Sequence, residues 1–349
     1  MTDTHPAPTR HPRRGLAVPF LIVGLLLGAW TGWWFYLTNQ IETRLEAQVE
    51  ALQEDGWTIT HADVTTTGWP FRARVSIPHA DIMAPSGHGV AAPELVAEAN
   101  AYNPDRWVVI APDGLTLTRA GKGKVGIGGD GLRMSISHLT DRFPDLRAEM
   151  IRPTFTAHRD AEPFPIASAE RIQLETRPHL TDGAASTDEM DVLFRLVDAR
   201  GRAGGPVEGA TRQGRLSADV EATLVGASRL RGIDAAGVFA AWTAAGGRFT
   251  HVRGRLQAGD SSAVISSDAL SAGRDGRLQG SLALTAEKPM AAISGMASAR
   301  SGAVNRLGAA GAAAATAASG DRGVDLVVQF RDGRTWLGPF ALAPAPRLF

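Results

Sequence analysis

Between Leu16 and Leu37 the chain reads LAVPFLIVGLLLGAWTGWWFYL, twenty-two consecutive residues without a charge. At about 1.5 Å of rise per residue, a helix of that length covers the roughly 30 Å hydrocarbon core of a bilayer, and a core helix of a soluble protein is rarely so uniformly apolar. The stretch therefore predicts a membrane anchor, and everything after it becomes the domain that the anchor carries. Arg10, Arg13 and Arg14 precede it, whereas the first charges after it are Glu42, Arg44 and Glu46. The positive-inside rule then leaves residues 1–15 in the cytoplasm and places residues 38–349 on the other side. Trp30, Trp33, Trp34 and Tyr36 cluster at the outer end, where amphipathic rings favour the headgroup layer, so the exit is expected near Leu37. A cleaved secretory signal shares the basic start. Here the apolar run is too long for its core and ends in WWFYL with no small-x-small site, which favours an uncleaved signal-anchor.

The remaining 310 or so residues suffice for one large or two ordinary domains. Hydrophobic residues make up 44% and charged residues 21%, the composition of a globular chain. Lys plus Arg and Asp plus Glu number 36 each, so net charge gives no reason to expect nucleic acid as a partner. The chain has no cysteine. Disulfides, thiolate nucleophiles and cysteine-bound metals are thereby excluded, and the composition is compatible with an oxidising compartment such as the periplasm.

Along the chain, the proline-bearing segment 1–15 reads as a disordered cytoplasmic tail and 16–37 as the transmembrane segment. From residue 38 to 56, Ile41, Leu45, Val49 and Leu52 recur at three- and four-residue spacing, an amphipathic stalk helix with Gly56 as its C-cap. After Gly56 the period becomes two. Trp57 and Ile59 open a strand, Gly68-Trp69-Pro70 makes a tight turn, and Phe71, Ala73, Val75 and Ile77 alternate with Arg72, Arg74 and Ser76. The same alternation recurs over 95–101, 107–109, 115–117, 125–127, 132–136, 172–174, 192–196 and 216–224, separated by Gly, Asp, Asn and Pro turns. These are the marks of successive antiparallel strands with one buried face.

A helix is predicted over 233–245, and a sub-boundary within the 57–349 domain near 226–248. Strands follow over 248–257, 262–267 and 277–286, then one or two alanine-rich helices in 289–319 broken at Gly302 and at Gly308 or Gly311. A last strand pair, 323–330 and 336–342, is joined by the hairpin signal Asp332-Gly333. The fold class is mainly β with minor α: anchor and stalk, then a long curved antiparallel sheet, sandwich or groove with a few covering helices.

No catalytic constellation emerges. Gly126-Ile-Gly-Gly-Asp-Gly131 matches G-x-G-x-x-G, but a dinucleotide site needs a helix after it, and Leu132, Met134 and Ile136 follow at strand spacing. The nine histidines are scattered, with no HExxH, so no metal ligands are assigned, and no cofactor is implied. Carboxylate pairs and a Gly-x-Ser-x-Gly elbow are absent as well. The most distinctive short stretch is Gly68-Trp-Pro-Phe-Arg72. Its glycine and proline suit a sharp turn, and its structural reading has Trp69 and Phe71 plugging one end of the sheet. Its functional reading places Trp69, Phe71 and Arg72 at a lipid or membrane contact.

The anchor, the stalk, G-W-P-F-R, the β-rich body and the final Asp332-Gly-Arg-Thr-Trp-Leu-Gly-Pro339, followed by residues 344–349, resemble the alphaproteobacterial family catalogued as domain of unknown function 2125. That resemblance implies an envelope location and a β-rich fold, and no established chemistry. The strand run 248–286, with GRFTHVRGRLQ and GRDGRLQGSLAL, is similar also to repeats of AsmA- and TamB-type envelope proteins. That likeness implies one N-terminal anchor and a curved sheet whose apolar groove handles phospholipid. The resulting expectation is a non-catalytic protein of the bacterial inner membrane, its domain periplasmic, that binds phospholipid or supports the envelope. An envelope scaffold with a filled core and a protein partner is the alternative, and an envelope hydrolase without a recognisable motif comes third.

Overall fold

The computed structural model describes residues 14–212, 214–230, 238–300, 302–317 and 324–348, so the tail over 1–13 and the start of the helix expected at 233 lie outside the described residues. The apolar segment expected to be the anchor and the stalk are one continuous helix, α1 (Arg14–Glu54). Nothing in the sequence between Leu37 and Thr38 interrupts the 3.6-residue period, and the helix runs through. It ends where expected: Gly56 adopts φ 89°, its N–H donates to the Gln53 carbonyl, and the Trp57 N–H donates to that of Leu52. This pair of bonds satisfies the last free carbonyls of the helix.

The rest is dominated by one antiparallel sheet. β1 (Thr58–Thr60) and β2 (Thr65–Thr67) both pair with β3 (Arg72–Met83), which pairs with β4 (Gly89–Asn100). β5 (Asn103–Ile110) and β6 (Leu115–Arg119) then lie end to end along β4. The same arrangement repeats three times. β7 (Gly123–Gly128) and β8 (Gly131–Ser137) form the next rung, β9 (Asp145–Ile151) and β10 (Thr154–Ala157) the one after, and β11 (Ile166–Ser168) and β12 (Arg171–Thr181) the last. The long strand β13 (Ala184–Gly201) pairs with both halves of that rung.

From there the sheet continues as a simple meander. β14 (Leu216–Val225), β15 (Arg248–Ala258), β16 (Ser261–Ala272), β17 (Leu278–Glu287), β18 (Val324–Arg331), β19 (Arg334–Leu337) and β20 (Phe340–Pro344) pair in sequence order. β14 and β15, on either side of 226–248, pair along nearly their whole length. Among the described residues β1 and β2 pair only with β3, and β20 only with β19, so the sheet is open.

The four broken rungs share one crease. Residues 111–114, 129–130, 152–153 and 169–170 sit on successive rungs and bond across them: the Ala111 N–H to the Leu132 carbonyl at 3.0 Å, that of Asp130 to Ile151 at 3.0 Å, that of Arg152 to Glu170 at 2.9 Å. Pro153 has no N–H to give, and Arg152 takes φ 46°, so regular pairing stops there. Apolar side chains gather at the crease. Ala111, Ile127 and Leu132 are buried there with Leu95, Leu115, Met150 and Phe155 packed on them, and Ala169, Leu196 and Ala199 form a second buried cluster. The strands 145–157 and 166–168, which the alternation did not reveal, belong to this creased part. Leu146, Ala148 and Met150 alternate with Arg147 and Glu149, but only over this short strand, and the crease at 152–153 resets the period before Phe155.

Helices are few: α2 (Pro206–Thr211), α3 (Val238–Ala244), α4 (Pro289–Ala297) and α5 (Arg306–Ala317). The alanine-rich piece is indeed two helices, but only Gly302 lies in the break. Gly308 and Gly311 are inside α5, where each is a point of close approach. A Cβ at Gly308 would stand 2.0 Å from the Ala341 carbonyl oxygen, and one at Gly311 would stand 2.5 Å from the Phe340 ring. α5 thus lies directly on β20, and Ile293, Ala312, Ala313 and Leu337 form the core there. The expected strand 336–342 is two strands, turned at Gly338, while Asp332 (φ 52°) and Gly333 (φ 69°) make the hairpin before it. Trp242 of α3 is fully buried, its Nε1–H donating to the Val225 carbonyl at 2.8 Å.

Candidate functional site: the anchor junction and the apolar rows

α1 runs alongside the first strands, and three indole N–H groups tie it to the rim of the sheet. Trp30 donates to the Pro70 carbonyl at 2.8 Å, Trp34 to that of Arg72 at 2.8 Å, and Trp33 to that of Ala101 at 3.4 Å. Further up, the Thr66 hydroxyl donates to Glu42 at 2.6 Å and the Gln53 amide donates to the Ile59 carbonyl at 3.1 Å. The order 30, 34, 42, 53 on the helix against 70, 72, 66 and 59 on the sheet follows the direction of β3, because 66 and 59 stand opposite Val75 and Ile82. Trp34 and Thr38 are buried. Ile41, Leu45, Val49 and Leu52 are half-buried, so the stalk's apolar stripe faces the domain.

Of the residues expected at the membrane, Trp34 is thus spent on the domain. Trp33, Phe35 and Tyr36 stay open, and so do Trp69 and Phe71 of the turn. Trp69 and Phe71 are 48% and 66% exposed, which means that they do not plug the sheet. Arg72 pairs with Glu98 on the neighbouring strand and leaves two thirds of its side chain in the open.

Strand register turns the period-two alternation into rows that cross the whole sheet. Starting from Val75 on β3, the residues opposite one another are Ala97, Val109, Met134, Ala148 and Leu174. The row goes on through Phe194, Val220, Gly254, Ile265, Leu284 and Leu326. Twelve rungs carry no polar side chain in this row, a length of about 50 Å at about 4.8 Å per strand. A flanking row on the crease side, including Leu132, Met150, Ile172, Leu196, Ala218 and Leu256, is apolar too, with Leu132 and Leu196 buried in the crease. On the other side stands the cluster of Trp242, Leu224 and Ala227 with Val192, Phe239, Phe249 and Leu348. Between these walls the central row is least covered in the middle, where Leu174 and Phe194 are 38% and 37% exposed. At its ends it is closed: Val75 is 2% exposed beside α1, and Leu326 packs on the core of Ile293, Ala312, Ala313 and Leu337, with Ile265, two strands before it, 6% exposed. The arrangement is a trough whose floor is open at mid-length.

The opposite face carries charge in alternating sign. Arg133, Glu149, Gln173, Arg195, Asp219 and Arg255 are register neighbours on six consecutive rungs. Arg133 Nε donates to Glu149 at 2.7 Å, Arg171 approaches the same carboxylate at 3.5 Å, and Arg195 donates to Asp219 at 2.7 Å. Glu149 is only 3% exposed, and its hydrogen bond from Arg133 holds its carboxyl below the usual range against the opposing effect of burial. Asp219 in turn raises the already high pKa of Arg195 through their hydrogen bond. The Arg133–Glu149 pair borders a cleft of about 1020 Å³ that also holds Arg147, Arg177, Asp191 and His179. Arg147 pairs there with Glu175, and Arg177 and His179 with Asp191, across strands, which is how an exposed sheet face is stabilised.

No group of three or more metal-ligating side chains occurs among the described residues. His138 and His179 each face a single carboxylate, Asp145 at 3.1 Å and Asp191 at 2.7 Å. Gly126 to Gly131 passes from β7 over the crease into β8, so no helix N-terminus stands behind it. The trough was not legible as a site in the sequence, because it consists of one residue from each of twelve strands. The signal that would have found it is the register itself.

No curated protein and no solved structure matches the chain, so the likeness of 248–286 to AsmA- and TamB-type proteins has no counterpart there. Residues 34–346, the part that folds into the lower helix, the junction, both faces and the final hairpin, match the model for uncharacterised proteins conserved in bacteria, domain of unknown function 2125, and the chain belongs to that family.

Proposed function

We propose that this is a non-catalytic, single-pass protein of the bacterial inner membrane whose periplasmic sheet accommodates lipid acyl chains along its apolar trough. The reading rests on one observation: twelve rungs of apolar side chains in register, closed at both ends and open at Leu174 and Phe194. An unfilled apolar strip of this kind calls for a cover, and the helices cover only its two ends and its flank. The apolar helix Val18–Glu54 supports the membrane anchor by length and composition, and the arginines before it support a cytoplasmic N-terminus. The trough begins beside that helix, so lipid is the apolar ligand nearest to hand.

The test is photo-crosslinking of the full chain in its own membrane. A benzophenone side chain replaces Phe194 or Leu174, and in control chains it replaces Val264 or Val327, which are exposed on the opposite face. Lipid adducts at positions 174 and 194 in clear excess over 264 and 327 are expected. Equal labelling on both faces, or protein adducts alone at 194, would overturn the lipid reading, the latter in favour of a scaffold.

A further inference from the structure

The anchor helix and the rim of the sheet share one level. Trp30, Trp33 and Trp34 are bonded to carbonyls of residues 70, 101 and 72, which lie in the turn before β3, in the turn after β4 and at the first residue of β3. If residues 16–37 span the bilayer, as proposed above, then Trp30 lies about 10 Å below the exit at Leu37 by helical rise. The turns bonded to it are then carried down with it. Each presents large exposed side chains at that level: Trp69 (48%) and Phe71 (66%) from one turn, Tyr102 (68%) from the other.

A third connection, 138–144 between β8 and β9, is drawn to the same place. The Leu139 N–H donates to Asp105 on β5 at 2.8 Å, and Leu139 is 44% exposed. The exposure is one-sided. Because the strands alternate in direction, every second connection lies on this rim, which also carries Leu180 and Val238. The opposite rim has a single large exposed apolar residue among those described, Leu307.

From these placements we infer that the rim of the sheet is itself seated in the outer interface of the bilayer, through Trp69, Phe71, Tyr102 and Leu139, and that the trough therefore starts, at its Val75 end, close to the membrane surface. Aromatic side chains with a polar edge are suited to the headgroup layer, and here they come from two separate parts of the chain and surround the anchor. Sheet twist limits the contact. At about 20–25° per strand, the five steps from β3 through β4, β5, β8 and β9 to β12 turn the rim by more than about 100°. Leu180, at the end of β12, is carried clear of the bilayer, whereas Leu139, tethered to β5, is not.

The absence of cysteine makes the test direct. Single-cysteine variants of the full chain, Leu26→Cys, Tyr102→Cys, Leu139→Cys, Leu180→Cys and Asp260→Cys, are labelled with a polarity-sensitive fluorophore. They are then reconstituted in phosphatidylethanolamine–phosphatidylglycerol vesicles with or without spin-labelled lipid. Positions 26, 102 and 139 should each lose about half or more of their emission to the quenching lipid, with 180 and 260 unchanged, as expected for groups at or below the headgroup layer. Quenching at 26 without quenching at 102 and 139 overturns the seated rim and leaves the anchor standing. No quenching at 26 removes the anchor reading and this inference with it.

Discussion

Replacing Phe194 by aspartate puts a carboxylate in the open middle of the trough floor, between Leu174 and Val220. Its effect on folding can be bounded from its exposure of 37%. About 200 Å² of a phenylalanine, roughly two thirds of it buried, corresponds to about 3 kcal/mol at about 25 cal/mol per Å², an upper figure. A domain with some 5–15 kcal/mol of stability survives that loss. The effect on lipid is of similar size but acts on a smaller total. One leaflet's acyl chain occupies about 15 Å, or about three strand spacings, so a chain centred on Phe194 lies over Ala148, Leu174, Phe194 and Val220. A charge beneath one rung denies contact to about four methylenes, about 3 kcal/mol at about 0.8 each, and retention falls about a hundredfold.

The assay is native mass spectrometry of the full chain released from nanodiscs, with thermal unfolding measured alongside. Phe194→Asp should emerge without lipid while keeping a cooperative transition, Phe194→Leu should retain lipid, and Val264→Asp on the charged face should behave as the parent does. Lipid carried equally by Phe194→Asp would refute the trough as the binding surface.

Other consequences follow from the same geometry. Trp34→Ala removes the indole bond to Arg72 and a buried ring, and should destabilise the junction by about 3 kcal/mol, read as faster proteolysis between residues 54 and 72 while the rest of the sheet holds. Glu149→Gln breaks the centre of the charge ladder. Because the folded carboxyl titrates below its ordinary value, it stabilises the fold at neutral pH and stops doing so as pH falls through that lowered value. The variant should therefore be less stable at pH 7 by about 1–3 kcal/mol, with the difference from the parent closing in acid, as measured by urea midpoints across pH. Gly308→Val sets a branched side chain against the Ala341 carbonyl and should lift α5 from β20, lowering the melting temperature by several degrees, whereas Ala310→Val on the exposed side of α5 should not.

What the sequence disclosed depended on how locally each feature is encoded. The long apolar N-terminal helix, the Gly56 cap, the Asp332-Gly333 hairpin and the strand identity of Val75, Met134 or Val220 each follow from a few neighbouring residues, and the structure contains them. The crease does not, since it is made by Gly129, Pro153 and Ala169 meeting across rungs. Gly308 and Gly311 misled for a related reason. A glycine that breaks a helix and one that admits a neighbouring strand look alike until Ala341 and Phe340 are in place. The trough lies furthest from view, because Leu174 and Phe194 become neighbours only through register, and their exposure depends on what the crease and α3 leave uncovered.

The way the rungs succeed one another also bears on how the protein can be made. Every rung of the sheet pairs with rungs that are close to it along the chain, apart from the nested hairpins of the creased region. Such a topology keeps loop closure short and lets order propagate one neighbour at a time. If α1 is held at the membrane, as proposed, β1 to β4 can fold against it before the later strands are in place, each new strand finding its template already formed. An assembly that grows outward from its anchor exposes only one unfinished edge at any moment, and on completion Asn305, whose N–H donates to the Leu342 carbonyl at 2.6 Å, brings α5 over the last of these edges.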